Sequence, residues 1–295
     1  MLITGDNTLT WTLSGFADEA GASLDEQISA LKTAGLKYID IRGVDGYNIV
    51  DLPLDHAKTV KDKLDQAGIS VQMFGSPIGK IDIADDFETD LKRIDHLAKL
   101  APILGTSAVR IFSYYNASKR PAVEWKKISL SRLLSLRSAA NDTGLVLYHE
   151  NEREIFGDLV ENVLTLGTEV RDGKSFRTIF DFDNYTQGDQ NALDAWQLVK
   201  ADVDAIHLKD SAGKQHVPVG EGEGFIEKIL LDALAIGWHG PLSVEPHLSH
   251  SGAVAATGPS GIENQSFKDM KDSERFILAC NAATALLKRI NAPFE

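Results

Sequence analysis

The sequence predicts a single closed (β/α)8 barrel, a TIM barrel of the α/β class running through residues 1–295. Three observations carry that reading. Eight short, β-rich apolar runs alternate with longer segments of helical periodicity from one end of the chain to the other. The 295 residues accommodate the roughly 250 that such a barrel needs, with modest insertions. No Pro/Gly/Ser-rich linker, low-complexity tract or composition break divides the chain. An open doubly wound sheet competes, but it requires a glycine-rich turn after the first strand, and GFADEAGAS (15–23) does not match GxGxxG.

The strands are expected at 12–16 (TLSGF), 37–42 (KYIDIR), 69–74 (ISVQMF), 107–113 (SAVRIFS), 144–149 (GLVLYH), 176–182 (FRTIFDF), 203–208 (VDAIHL) and 241–245 (PLSVE). Between the first two, Leu24, Ile28 and Leu31 share a helical face, Ser23 and Glu26 form a capping box, and Gly35 is the stop. The second helix aligns Leu54, Ala57, Val60 and Leu64 and stops at Gly68. Later helical patterns cover roughly 86–104, 121–142, 157–168, 191–200, 224–236 and 267–290. One long irregular segment, 247–266 (HLSHSGAVAATGPSGIENQS), follows the eighth strand and should lie over the barrel mouth.

Composition bounds the function. At 43% apolar and 25% charged residues the chain reads as an ordinary soluble globular protein. A formal charge of −13 repels phosphate backbones, which argues against nucleic acid as a partner. The apolar runs fall short of the roughly 20 residues that span a bilayer, and the N-terminus shows no basic segment followed by an apolar one, so neither a membrane nor export is expected. The single cysteine, Cys280, lies in the apolar helical stretch FILACNAATALL and reads as a buried thiol, which fits a reducing cytoplasm.

In a barrel of this class, chemistry sits at the C-terminal ends of the strands. There the fifth strand ends at Glu150, the sixth at Asp181 and Asp183, the seventh at His207 and the eighth at Glu245. His149, His207, His216, His247 and His250 also lie at or just past strand ends, whereas His56 and His96 fall in helices and His239 precedes the eighth strand. Two glutamates, an aspartate and a histidine form a hard, oxygen-rich donor set suited to one divalent metal ion: Mn²⁺, Mg²⁺, Co²⁺ or Zn²⁺. Neighbouring strands are about 5 Å apart, so four consecutive strand ends can reach one ion. Without a cation, three carboxylates so placed would repel, and some would stay protonated. Strand alternation points Glu150 and His149 to opposite faces but does not separate Asp181 from Asp183.

At these residues the chain resembles the sugar phosphate isomerase/epimerase group of the xylose isomerase-like TIM barrels. HENE(x)3FGD, FDFDN, IHLKD, GEGEG and SVEPH carry the resemblance, with GFADE, SPIGKI (76–81) and RIFS (110–113), over about residues 15–248. In the ketose 3-epimerases of that family one divalent ion is held by Glu, Asp, His and Glu, and the matching positions are Glu150, Asp181, His207 and Glu245. The resemblance selects Asp181 over Asp183 because it follows Ile179 and Phe180. Two positions depart from the pattern: Asn184 stands where the epimerases have His, and His216 where they have a substrate-binding Arg. The family's nuclease branch needs extra histidines for a three-zinc cluster, and strand ends 74–77 and 111–114 have none.

The resemblance implies an isomerase or epimerase acting on a ketose, keto-polyol or sugar phosphate through an enediolate. The ion would polarise the carbonyl, and Glu150 and Glu245 would be catalytic, removing and returning the proton from opposite sides. Asp181 and His207 would be ligands only. Expected substrate contacts are Asn184, His216, Lys209, His247 and Arg110, with Arg42 and Lys80 near the same mouth. Arg42 would serve equally in an ion pair with Asp45 or Glu19. GEGEGF (220–225) precedes a helix as a phosphate cradle would, but Glu221 and Glu223 place negative charge there, against phosphate. Tyr114, Tyr115, Trp11 and Phe74 could wall the pocket. The alternatives are an inosose-type dehydratase on the same scaffold, or a non-catalytic sugar-binding protein. Barrels of this class often pair through their helices, which leaves a homo-oligomer open.

Overall fold

The computed structural model describes residues 10–248 and 264–295. Eight parallel strands close into a barrel: β1 Thr12–Gly15, β2 Tyr38–Ile41, β3 Ser70–Phe74, β4 Ala108–Ile111, β5 Val146–Glu150, β6 Phe176–Asp181, β7 Ala205–Leu208 and β8 Pro241–Val244. Each pairs with the next, and β8 returns to β1 with Ser243 beside Ser14. The helices are α1 Leu24–Ala34, α2 Leu54–Ala67, α3 Glu88–Leu104, α4 Ala122–Thr143, α5 Val160–Glu169, α6 Phe182–Gln187, α7 Ala192–Val199, α8 Ile226–Ala235 and α9 Asp272–Arg289. The open-sheet alternative is thereby excluded. No helix among the described residues is long and apolar enough to cross a membrane. Most of the segment expected over the mouth, 249–263, lies outside the described residues.

Local rules explain where the elements begin and end. The Ser23–Glu26 capping box opens α1, and Gly35 closes it in the left-handed conformation at φ 76°. The fourth strand, expected to reach residue 113, ends at Ile111. From there the chain turns to pair with the 76–81 loop, Phe112 N–H donating to Ile78 O and Tyr114 N–H to Gly79 O. The sixth strand ends one residue early because Asp181 becomes the N-cap of α6, its Oδ1 accepting from Asn184 N–H at 2.7 Å. Two antiparallel hairpins, residues 43–48 and 210–217, were not foreseen. The first turns at Asp45 and Gly46, both at positive φ, an Asp-Gly signal the sequence does carry.

The helices bury an apolar shell against the outside of the barrel. The interior below the mouth is polar instead: Gln72 Nε2 donates to Ser14 Oγ at 2.6 Å, Ser14 Oγ lies 3.2 Å from Ser243 Oγ, and Ser14 also donates to Asp40. The 76–81 loop is anchored by Gly79, whose N–H donates to the buried Asp90 Oδ2 at 3.0 Å. Gly79 has φ +82°, and a Cβ there would stand 2.1 Å from Phe112 O. Gly35 has a similar φ, but a Cβ at that position would meet nothing within 4 Å. Gly35→Ala should therefore cost about 1 kcal/mol of left-handed strain. Gly79→Ala should cost about 3 kcal/mol or more, because backbone must also shift. Urea denaturation of the two variants measures the difference, and equal losses would contradict the close approach.

Candidate metal centre

The barrel brings four of the expected side chains to one point. Glu150 and Asp181 are the last residues of β5 and β6, His207 is the penultimate residue of β7, and Glu245 directly follows β8. None is more than 2% exposed. One ligand atom from each lies within 4.8 Å of the others. His207 Nδ1 is 3.1 Å from Glu150 Oε1 and 3.3 Å from Glu245 Oε2, so the imidazole stands between the two glutamates. His149 points away, stacked on Phe176 with 6.3 Å between ring centroids. Asp183 is separated from Asp181 because α6 begins after Asp181 and replaces strand geometry. Its Oδ2 lies 3.1 Å from His216 Nδ1, outside the cluster.

The carboxylates are held by groups that the sequence placed correctly at the mouth but with other roles. Arg110, expected to meet substrate, donates from Nη1 to Glu245 Oε1 at 3.0 Å and lies 3.3 Å from Glu150 Oε2. Its guanidinium is sandwiched between Phe16 and Phe112, at 4.8 and 5.1 Å from their centroids. Arg42 donates to Glu245 Oε1 at 2.8 Å and grips Asp18 with Nε and Nη2 at 2.8 and 2.9 Å. Glu19 is a weaker partner at 3.4 Å, and Asp45 pairs with His56 instead. Lys209 lies 3.1 Å from Asp181 Oδ2 and donates to Asn184 Oδ1 at 3.1 Å. Asn184 Nδ2 in turn donates to Glu150 Oε1 at 3.3 Å and to Asn151 O at 2.8 Å. Lys80 is 3.0 Å from Glu152 and sits over the Phe112 ring.

Asn151 is a residue that the sequence reading passed over. Its Oδ1 accepts from Asp181 N–H at 2.8 Å, and its Nδ2 donates to Asp181 O at 3.0 Å. It therefore staples the ends of β5 and β6 beside two of the candidate ligands. The aromatic wall also differs from expectation. Trp11 is fully buried before β1 and donates to Trp238 O, at the opposite end of the barrel from the site. Phe74 and Tyr114 are fully buried, and Tyr115 bridges to Asp82 and Ile155. Phe16 stands next to the cluster, edge-on to His207 at 5.4 Å.

Electrostatics divide the four groups. Burial alone would raise the Glu150 carboxyl, but His207 and Arg110 outweigh it and hold the pKa at about 2. Glu245 stays well below the usual carboxylate range because Arg110 and Lys209 overcome the same burial. At Asp181 burial wins despite Lys209, and the pKa rises to about 8. Burial would lower His207, yet the two glutamates lift it to about 10. Arg42, Arg110 and Lys209 thus share a neutralisation that the sequence reading assigned to an ion alone. Even so, Glu150 Oε2, Asp181 Oδ2 and His207 Nε2 are buried without a well-directed hydrogen bond among the described residues. Three hard oxygen donors and one imidazole, with buried polar atoms left without a partner, fit a divalent ion that displaces the Asp181 and His207 protons. Glu19, Glu245 and His247 form a second possible set, but Arg42 already lies on two of its three members.

Beside the cluster lies a small polar cavity bordered by Glu152, Asp183, Asn184, Lys209, His216 and His247. His216 and His247 meet edge to face at 5.4 Å. His247 donates its backbone N–H to Glu19 Oε2 at 2.8 Å, and burial keeps its ring neutral, with a pKa of about 3. Four of the five expected substrate contacts therefore border one cavity, and Arg110 faces the glutamates. His250 lies outside the described residues.

Comparison with known proteins agrees with this architecture. No curated protein matches the chain in sequence. Among solved structures, the IOLI protein with a bound zinc atom superposes with a TM-score of 0.70 at 16% identity, over 94% of this chain and 98% of that one. A D-tagatose 3-epimerase-like protein gives 0.69 at 18% identity, over 95% and 98%. The probable 3-DHS dehydratase AsbF of Bacillus anthracis gives 0.65 at 15%, over 84% and 96%. At such identities these likenesses show the fold. The family model described as xylose isomerase-like TIM barrel matches residues 28–266, and the chain belongs to that family.

Proposed function

We propose that the protein is a divalent-metal-dependent isomerase or epimerase of a ketose, keto-polyol or sugar phosphate. One observation carries the reading: two ionised glutamates, Glu150 and Glu245, both approach His207 Nδ1, and Asn184 and Lys209, which contact this cluster, border a small polar cavity. Glu150, Asp181, His207 and Glu245 would hold the ion. When bound, it would supply Lewis acidity to a substrate carbonyl and acidify the neighbouring C–H.

The chain's own residues do the rest. One glutamate takes the proton from carbon, giving the enediolate of the sugar, and the other, having first taken a proton from water, returns it as the conjugate acid from the opposite side. Arg110 contacts both carboxylates, so it keeps each ionised and ready to accept. Asn184 and Lys209 hold Glu150 and Asp181 in place from the cavity side. His216 and His247, bordering the same cavity, would contact sugar hydroxyls.

Two measurements test this reading. Purified protein with Mn²⁺ and a panel of ketoses and inososes in D₂O should install deuterium at carbon with no loss of mass as water. Loss of water would instead show a dehydratase. Glu150→Gln should reduce exchange by about three orders of magnitude, as removal of a general base does. Unchanged exchange in the variant contradicts the assignment.

The second measurement concerns the ion. Asp181 and His207 hold protons up to about pH 8 and about pH 10 in the ion-free protein. A ligating cation must displace both, so Mn²⁺ affinity should increase from pH 6 to pH 8, with proton uptake by the buffer. Calorimetric titrations in buffers of different ionisation enthalpy read that release. Affinity independent of pH would place the ion elsewhere.

A further inference from the structure

Outside the four-residue cluster, a second group of buried polar atoms is left over. Asp183 is fully buried and His216 is 6% exposed. Both carboxylate oxygens of Asp183 and both ring nitrogens of His216 lack a well-directed hydrogen bond among the described residues. Asp183 Oδ2 and His216 Nδ1 are nevertheless only 3.1 Å apart. Four such atoms out of water are costly unless something meets them. Neighbouring donors are already committed: Lys209 to Asn184 and Asp181, and Asn184 to Glu150 and the Asn151 carbonyl. Neither Asp183 nor His216 belongs to a possible metal set among the described residues.

The cavity that both residues border defines what would meet them. It is open to a water-sized sphere over about 10 Å³, which is room for one hydroxyl group. A carboxylate beside an imidazole nitrogen draws the N–H of that nitrogen and leaves the other as an acceptor. Asp183 and His216 therefore both present acceptors, and a group entering beside them has to donate. Arg153 borders the same cavity, and its guanidinium carries several N–H donors that can face the oxygen of that group. A hydroxyl does both: it donates its proton to one side and offers lone pairs to the other.

We propose that Asp183 is a specificity-determining residue which, with His216, accepts the proton of one substrate hydroxyl and selects sugars that carry this hydroxyl free. The inference rests on the sugar isomerase reading and deepens it. Asp183 stands two residues after Asp181, the N-cap of α6, so one helix start fixes this contact relative to the candidate ligands. A methylated hydroxyl finds no room in the cavity, and a missing one leaves the acceptors unpaired.

Calorimetric titration of the Mn²⁺-loaded protein with ketohexoses and inososes, and with monodeoxy analogues of the tightest binder, tests the proposal. Removing one hydroxyl, away from the reacting carbons, should weaken binding to the wild type by about tenfold or more. Asp183→Ala should narrow that preference to under about threefold, read as in a double-mutant cycle, and should bind Mn²⁺ as the wild type does. His216→Phe, which keeps a ring and loses both nitrogens, takes its place if the alanine variant does not fold. A preference that persists in the variant, or no single hydroxyl that matters, leaves the cavity to water and overturns the proposal. A loss of Mn²⁺ affinity equal to the loss of sugar affinity overturns it as well. Binding without deuterium exchange refutes the isomerase reading alone, and the analogue comparison still decides on Asp183. A panel that neither binds nor exchanges overturns both.

Discussion

Three carboxylates out of water within a few ångströms of one another set the terms for everything else at this barrel mouth. Burial of like charges is costly, and Glu150, Asp181 and Glu245 are all fully buried. The surrounding residues are arranged to offset that cost. Arg42 and Arg110 converge on the same oxygen of Glu245, Lys209 faces Asp181, and His207 takes up a proton between the two glutamates. The aromatic rings of Phe16 and Phe112 fix Arg110 from both sides. The outcome is asymmetric: the glutamates stay ionised and Asp181 does not. Two ionised glutamates suit proton acceptance, and a bound cation would have to displace the Asp181 proton.

The polar character extends below and around the cluster. Ser14, Asp40, Gln72 and Ser243 bond to one another inside the barrel, where branched apolar layers are the usual filling. Asn151 locks two strand ends together through a single backbone unit, that of Asp181. Asn184 then links Glu150, Asn151 and Lys209. The candidate ligands are thus fixed by a connected network, which is the kind of support a metal site needs to keep its ligands oriented.

The barrel was legible because buried parallel strands write themselves as apolar runs ended by polar residues, and because capping boxes and left-handed glycines are local signals. Ser23, Gly35 and Gly68 behave as their types suggest. The four-residue cluster was legible for the same reason, since strand ends in a barrel converge whatever lies between them. Relations across long separations were not. Arg42 and Arg110 find Glu245 from 203 and 135 residues away, so their role as partners of that glutamate leaves no trace in their own surroundings. Trp11 was misplaced because a tryptophan before a strand belongs to the far end of the barrel, a consequence of strand direction.

The measurement closest to the central claim is an anomalous-difference map from a crystal soaked in Mn²⁺. A single peak enclosed by the side chains of Glu150, Asp181, His207 and Glu245 is the predicted result. Density confined to other positions, or four side chains bonded only to Arg42, Arg110 and Lys209 with no peak among them, would contradict it.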